Sequence, residues 1–159
     1  GIHSAMPAVH LVQRVVTRTP DLGGEDYQAV SVPEFMAMAG AGDFAVHWGA
    51  HGLFYGIPVS VTSHLSKGTD CLVNFSRSAL REAAVIFPRF LVLNISAKAE
   101  TLAKRLAARG RETDDEIARR LSQAEKVLPP ELDVISVSND GPLPQTVARA
   151  VALLQPMGV

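Results

Sequence analysis

Short apolar runs and amphipathic stretches follow one another along most of the chain, which predicts alternating strands and helices. The β-branched run at 9–16 and the apolar runs at 71–75, 90–95 and 132–137 predict strands, of which 90–95 is the clearest core strand. Helices are predicted at 32–41, 78–86, 100–109, 113–127 and 143–154, and 2–6 has the pattern of a helix end. Uninterrupted apolar runs between helices are typical of parallel sheets that are covered on both faces. The pattern therefore predicts an α/β layered fold with a largely parallel sheet.

Two of the predicted helices begin with the spacing of a capping box. Ser31 and Glu34 have this spacing before the helix at 32–41, and Gly42 follows its predicted end. Thr113 and Glu116 have the same spacing at the start of the helix at 113–127. Both starts support the helix assignments independently of the apolar periodicity.

The segment 42–58 has the pattern of neither a helix nor a plain strand. It contains four glycines, two histidines, a tryptophan and a tyrosine. Glycine lets the backbone approach a ligand closely, and aromatic and imidazole groups place polar atoms on rigid rings. We therefore expect this segment to contribute to a binding site.

The composition indicates one globular domain. The chain has 159 residues, 47% of them hydrophobic and 19% charged, which is enough for a buried core. A net charge of -1 gives no electrostatic reason to expect a nucleic acid partner, and no apolar run reaches the length of a membrane span. Cys71, the single cysteine, is predicted to be a buried thiol, which suits a reducing, cytoplasmic environment. The sequence leaves open whether the chain forms a homodimer.

Three motifs resemble the guanylate kinase superfamily in the same order along the chain. The segment 42–58 matches the order G-[DE]-F, H-G-x-x-Y-G-x-P of its acceptor-binding segment, and 17–27 resembles its T-R-x-P, G-E, Y segment. The resemblance implies a phosphotransferase in which Arg18, Tyr27 and Tyr55 hold the phosphate of the acceptor. Arg14 lies four residues before Arg18, and an even separation on a strand places both side chains on one face. Taken alone, Arg18 would be interpreted as an ordinary surface arginine beside a turn, but Tyr55 downstream favours the acceptor role.

Five arginines are concentrated in sixteen residues, and their pattern resembles the lid of guanylate-type kinases. They are Arg105, Arg109, Arg111, Arg119 and Arg120. The resemblance implies that the lid arginines Arg109, Arg119 and Arg120 act on the transferring phosphoryl group, and that Arg105 and Arg109 contact the nucleotide. Positioned cations stabilise the charge that develops in phosphoryl transfer. The alternative is a solvated helical face, which accounts for one or two of the five.

A further resemblance follows the last predicted strand, where V-x-N-D at 137–140 is similar to the loop at the edge of the adenine pocket. It implies nucleotide-binding roles for Asn139 and Asp140, and an ordinary turn before a helix is an equal alternative.

His47 and His51 have a zinc-ligand spacing on a helix, but the neighbouring glycines disfavour a helix and no third ligand is evident. We expect no protein metal site, and either acceptor contacts or packing for the two histidines.

Two positions distinguish the chain from guanylate kinase itself. The carboxylates that read the guanine base are expected at Val46 and Ser76, and a purine reader without them loses most of its discrimination. Arg14 and Arg77 instead favour an acceptor with more phosphate and no base, with Ser76 and both histidines as further acceptor contacts. The chain also has the motifs R-x-x-T-R-x-x-x-x-G-G-E-D at 14–26, H-W-x-A-H-G-L-x-Y-G-I-P at 47–58 and V-N-x-S-R at 73–77. In these motifs it resembles the ribose 1,5-bisphosphate phosphokinases of bacterial phosphonate breakdown. Guanylate kinase and an inactive guanylate-kinase-like binding module are the alternatives.

This resemblance implies a three-layer P-loop kinase fold, with a mainly parallel sheet flanked by helices and with acceptor-binding and lid subdomains. We expect one guanylate-kinase-like domain over 1–159, with an acceptor region at about 18–75 and a lid at about 109–121. The implied reaction uses ATP, with Mg²⁺ bound mainly through the nucleotide phosphates, and converts ribose 1,5-bisphosphate to 5-phosphoribosyl diphosphate. The 159 residues contain no G-x-x-x-x-G-K phosphate loop. We expect the native chain to supply that loop upstream.

Overall fold

The computed structural model describes residues 1–19, 25–109 and 127–155. They form two compact units: residues 3–90 make the first, and residues from 91 onward, with Gly1 and Ile2, make the second. Arg111, Arg119, Arg120 and most of the predicted helix at 113–127 lie outside the described residues, as does the side chain of Arg109. No helix in the described part of the chain is long and apolar enough to cross a membrane.

The first unit contains a four-stranded and a two-stranded sheet. The strands are β1 (His10–Leu11), β2 (Arg14–Val16), β3 (Tyr27–Ala29), β4 (Phe44–Ala50), β5 (Leu53–Pro58) and β6 (Cys71–Leu72). β1 pairs with β6 in parallel, and the larger sheet has the order β3-β2-β5-β4. In that sheet β3 is parallel to β2, while β5 is antiparallel to both β2 and β4.

The segment 42–58 is mostly a β-hairpin, which the sequence pattern did not predict. β4 and β5 pair from Phe44 to Ala50, and a two-residue turn joins them. Its residues, His51 and Gly52, have φ of 53° and 75°. Positive φ at both positions is what a two-residue hairpin requires, and Asn-Gly or Asp-Gly is its usual signal. As the glycines indicated, this segment contains no helix. The hairpin itself was not predicted, because His-Gly is a weaker turn signal than Asn-Gly or Asp-Gly.

The predicted strand at 9–16 is two strands in two different sheets. β1 pairs with β6, and β2 pairs with β3 and β5. Val12 lies between them and still donates its N–H to the carbonyl of Leu72 at 3.0 Å. A change of sheet leaves the apolar pattern continuous, because the buried residues Val9 and Val12 flank β1 and the buried residues Val15 and Val16 follow in β2. β6 is also shorter than predicted, and Cys71 is half-buried rather than fully buried. This partial burial raises the pKa of the Cys71 thiol.

The two faces of the four-stranded sheet bury different apolar groups. On one face Val46 and Ile57 are 1% and 0% exposed, and they belong to the main core together with Trp48. On the other face Phe35, from the helix at Val32–Ala41, stacks on Phe44 at 4.7 Å between ring centroids. Val46 and Trp48 share a face through the two-residue period of a strand, whereas a register irregularity between Phe44 and Val46 places Phe44 on the opposite face.

The described residues up to Phe90 contain four helices. They are α1 (Ile2–Ala5), α2 (Val32–Ala41), α3 (Val61–Ser66) and α4 (Leu80–Ile86), the last preceded by a 3₁₀ turn at Arg77–Ala79. The predicted helix at 32–41 is confirmed with its capping box, since Ser31 and Glu34 exchange hydrogen bonds and Gly42 has the left-handed φ of 80°. Helix α3 and strand β3 were not predicted.

The second unit follows the sequence prediction closely. Its elements are β7 (Leu91–Ser96), α5 (Ala99–Arg109), β8 (Asp133–Ser138) and α6 (Leu143–Leu154). β7 and β8 pair in parallel from Leu91 opposite Asp133 onward. The expectation that 90–95 is the clearest core strand was wrong, because β7 is only half-buried and Ile95 is 49% exposed. A two-stranded sheet covers its side chains less than the interior of a larger sheet does.

Candidate functional site

Arg14, the first residue of β2, is held by an acidic partner. Its Nε donates to Oε1 of Glu25 at 2.7 Å, and its Nη2 donates to the same oxygen. Nη1 donates to the main-chain carbonyl of Asn74 at 3.1 Å. The side chains of Arg14 and Glu25 are 14% and 22% exposed, so each largely buried charge has its counter-charge in contact. Arg14 therefore has a defined orientation without a ligand.

Aromatic rings lie beneath the guanidinium group of Arg14. Its Cζ is 5.0 Å from the ring centroid of Tyr55 and 6.0 Å from that of Trp48. Trp48 in turn stacks on Tyr55 at 5.5 Å and on Phe75 at 5.4 Å between centroids. The register explains this arrangement: Val16 lies opposite Tyr55, and Arg14, two residues earlier, shares the face of Val16. The rings provide a rigid, electron-rich support for the cation.

Arg18 is positioned by Tyr27 rather than by the strand. β2 ends at Val16, so the even spacing from Arg14 does not by itself place Arg18 on the same face. Instead Nε of Arg18 donates to the hydroxyl of Tyr27 at 3.2 Å, with Cζ 4.4 Å from the ring centroid. Tyr27 lies opposite Arg14 in the β2–β3 pairing. Tyr27 thus lies between Arg14 and Arg18. We call these two arginines the acceptor arginines.

A short contact chain fixes Tyr27 in turn. Its hydroxyl donates to the main-chain carbonyl of Thr19 at 2.6 Å. Thr17 is tied to the neighbouring strand, because its Oγ1 accepts from the N–H of Phe54 at 2.9 Å and its own N–H donates to the Phe54 carbonyl at 3.1 Å. The backbone that carries Arg18 is therefore held on both sides.

At the two positions where guanylate kinases are expected to read the base, this structure has a core valine and a half-buried serine. Val46 is 1% exposed and belongs to the main core. Ser76 is half-buried, and its Oγ accepts from Nε1 of Trp48 at 2.8 Å. Neither side chain offers a carboxylate to a purine.

The other predicted acceptor residues are more dispersed. His47 lies on the face of β4 opposite to Val46 and Trp48, with its ring 6.2 Å from that of Phe35 between centroids. His51 is exposed in the hairpin turn, and Arg77 is exposed at the start of the 3₁₀ turn before α4. The structure brings Arg14, Tyr27, Tyr55 and Ser76 into one cluster through shared neighbours, but it does not bring the two histidines to it.

In the second unit, Asp140 organises the turn after β8. Its Oδ2 accepts from the hydroxyl of Ser138 at 2.7 Å, and its Oδ1 accepts from the N–H of Lys98 at 2.8 Å. These bonds, first of all the one from Ser138, lower the pKa of Asp140 to about 2. The carboxylate is thus ionised at neutral pH and joins the turn to the segment before α5.

Arg105 and Asn139 complete the same turn. Nη1 of Arg105 donates to the main-chain carbonyl of Asn139 at 2.6 Å, and Nη2 donates to that of Gly141 at 3.2 Å. Oδ1 of Asn139 accepts from the hydroxyl of Thr146 in α6 at 2.9 Å. The geometry is therefore compatible with both interpretations of 137–140. The segment is a well-fixed turn before a helix, and such a turn could also form the edge of an adenine pocket.

Three residues of the first cluster escaped the sequence prediction. Glu25, Trp48 and Asn74 contact Arg14 or Ser76 directly, and none of them was predicted as a site residue, although all three lie in the predicted acceptor region at about 18–75. The signal for Glu25 was available in the G-E pair of its motif. Among the described residues no group of three or more His, Cys, Asp or Glu side chains could hold a metal ion.

Known proteins resemble this chain along nearly its whole length, although no family model matches it. A ribose 1,5-bisphosphate phosphokinase of Ruegeria sp. (strain TM1040) is 45% identical over 156 residues, which cover 98% of this chain and 82% of the relative. Another from Agrobacterium fabrum is 43% identical over 152 residues, covering 96% of this chain and 83% of that protein.

A solved structure supports the fold independently. The crystal structure of guanylate kinase from Anaplasma phagocytophilum superposes with a TM-score of 0.73 at 20% identity, covering 98% of this chain and 79% of that one. This likeness confirms the predicted α/β, guanylate-kinase-like fold.

Proposed function

The chain belongs to the ribose 1,5-bisphosphate phosphokinase family, and we propose that it transfers a phosphoryl group from ATP to ribose 1,5-bisphosphate. The product is 5-phosphoribosyl diphosphate. Its diphosphate is at C1, so the accepting oxygen belongs to the 1-phosphate of the sugar. The acceptor is thus a small, base-free molecule with two phosphate groups.

The observation that carries this acceptor choice is the state of Val46 and Ser76. A guanine base needs hydrogen-bond acceptors at these positions, and the chain has a core valine and a serine hydrogen-bonded to Trp48. A polar group of a ligand that is buried without a hydrogen-bond partner costs binding free energy, which weakens the binding of that ligand. GMP should therefore be a poor acceptor.

We assign the acceptor phosphates to the acceptor arginines, Arg14 and Arg18, with Tyr27 and Tyr55 beside them. Two guanidinium groups suit an acceptor with two phosphates, because each group presents a planar fork of N–H donors to phosphate oxygens. Contacts to Tyr27 connect both arginines within the first unit. Ser76 and Arg77 follow in the same unit as further acceptor contacts. The roles of His47 and His51 stay predictions.

We assign phosphoryl-group stabilisation to the lid arginines and the nucleotide edge to Arg105, Asn139 and Asp140. The contacts of Arg105 to the carbonyls of residues 139 and 141 support a fixed turn against which a nucleotide base can lie. ATP supplies the phosphoryl group, and Mg²⁺ neutralises charge on its phosphates. The acceptor region 18–75 and the lid 109–121 would then serve one kinase domain, in a cytoplasmic enzyme with its single cysteine reduced.

The direct test is to identify the product. The protein from the complete gene, incubated with ATP, Mg²⁺ and ribose 1,5-bisphosphate, should give the two coupled ³¹P resonances of a new diphosphate together with ADP. ATP turnover without a sugar diphosphate would show that the acceptor is a different molecule.

A further inference from the structure

Glu25 is part of a closed set of hydrogen bonds that we call the Glu25 clamp: Glu25, Arg14 and Asn74. One carboxylate oxygen, Oε1, accepts from Nε and Nη2 of Arg14. The other, Oε2, accepts from the side-chain amide of Asn74. Asn74 closes the set, because its main-chain carbonyl accepts from Nη1 of Arg14 at 3.1 Å. The clamp joins three segments of the first unit that are distant in sequence.

We propose that Glu25 is a positioning residue for the acceptor, acting through Arg14; this inference rests on the proposed function. An arginine side chain loses considerable rotamer entropy when it is ordered on binding. The clamp orders Arg14 in advance, and a preorganised group binds its ligand more tightly than a mobile one. Glu25 itself does not touch the acceptor.

The donors of Arg14 support this division of roles. Contacts among the described residues use three of its five N–H groups: Nε–H, one on Nη1 and one on Nη2. The other two belong to the two terminal nitrogens, which is the pair that a phosphate can engage with two oxygens. Because Glu25 occupies the Nε side, an anion is directed to the terminal nitrogens and away from the carboxylate.

The charge balance points the same way. Arg14 and Glu25 are both largely buried, so removing the carboxylate leaves a cation without its counter-charge. The guanidinium would then be free to leave the rings of Tyr55 and Trp48 for solvent. Removing the carboxylate should therefore weaken acceptor binding. The affinity for the nucleotide should change little, because the residues proposed to form the nucleotide edge belong to the second unit and no clamp residue does.

The test is a double-mutant cycle on the full-length enzyme with Glu25→Gln, Arg14→Ala and the double variant. Glu25→Gln should raise the KM for ribose 1,5-bisphosphate by about tenfold or more, the range for a charge-assisted hydrogen bond. The kcat and the KM for ATP should stay within about twofold. In the Arg14→Ala background the same substitution should change the acceptor KM by less than about twofold. Glu82→Gln, an exposed glutamate of α4, is the matched control and should change nothing.

Other results would refute the inference in distinguishable ways. An unchanged acceptor KM in Glu25→Gln, or a lower melting temperature with the KM intact, would show a structural role only. A KM effect that persists in the Arg14→Ala background would show direct contact between Glu25 and the acceptor. If Glu25→Gln does not fold, Asn74→Ala replaces it in the cycle and should raise the acceptor KM in the same Arg14-dependent way. A wild-type enzyme inactive on ribose 1,5-bisphosphate would refute the proposed function instead.

Discussion

Placing a glutamate at position 46 should strongly destabilise the protein rather than convert it to a guanylate kinase. Val46 is 1% exposed and packs in the main core with Trp48 and Ile57. Replacing it removes a buried valine side chain, which contributes about 1.5–3 kcal/mol. It also places a carboxyl group in the core, at a cost of several kcal/mol if the group is charged. The sum, roughly 4 kcal/mol or more, is a large part of the 5–15 kcal/mol that stabilises a typical domain.

The pH dependence of that loss has a definite sign. Burial should raise the pKa of the new carboxyl above its value in the unfolded chain, about 4.3. Below that pH both states are protonated and the deficit is smallest. As the pH rises, the unfolded state releases its proton first, so the deficit grows until the pH passes the pKa of the folded state.

Urea unfolding at pH 4.5 and pH 7.5, followed by the fluorescence of Trp48, measures this deficit; Trp48 is the single tryptophan of the 159 residues. Val59→Glu is the matched control, because the same change is made at a valine that is 47% exposed. It should shift stability by no more than about 0.5 kcal/mol. A Val46→Glu protein as stable as the parent, and active on GMP, would refute the claim that position 46 is closed by the core.

Three further predictions concern packing, pH and the division between binding and catalysis. Gly56→Ala should lower the free energy of unfolding by about 1–3 kcal/mol in a urea titration, because the new Cβ would lie 2.5 Å from the ring of Phe44. Gly49→Ala is the control and should be nearly neutral, because its Cβ would lie 3.6 Å from the nearest atom. Burial, and then the charge of His64, whose ring stacks on that of His10, lower the pKa of His10. The unfolded state therefore binds a proton first, and stability should fall as the pH drops below about 6.5. A melting-temperature difference between pH 7.5 and 5.5 that is the same in His10→Gln would contradict this. In steady-state kinetics, alanine at an acceptor arginine should mainly raise the acceptor KM, whereas alanine at a lid arginine should lower kcat by up to ~10³-fold; unchanged kcat in the lid variants would make those arginines solvated surface.

The sequence predicted elements best where local signals are strong. The capping box at Ser31 and the periodic apolar face of 143–154 gave helices with the bounds that the structure shows. The segment 42–58 failed because a His-Gly turn carries a weak hairpin signal, and the strand at 9–16 failed because a change of sheet leaves no mark on an apolar pattern. Pairing between distant strands is a tertiary property, so no local window contains it.

The candidate site divides in a similar way. Motif resemblance singled out Arg14, Arg18, Tyr27 and Tyr55. The structure connects Tyr27 and Tyr55 to Arg14 through the β2–β3 and β2–β5 registers, and it connects Arg18 to Tyr27 by a hydrogen bond. What sequence could not supply is the contact pattern, in which a glutamate eleven residues from Arg14 fixes its guanidinium. Which face of β4 carries His47 likewise depends on strand register.

The ratio of kcat/KM for ribose 1,5-bisphosphate to that for GMP, measured with ATP and Mg²⁺ on the protein from the complete gene, tests the central claim most directly. Two missing hydrogen bonds to carboxylates, worth about 1.5–3 kcal/mol each, should make the ratio favour the bisphosphate by at least ~10²-fold. A ratio near one, or a preference for GMP, would contradict the assignment of a base-free acceptor and would place the protein's activity with the guanylate kinases.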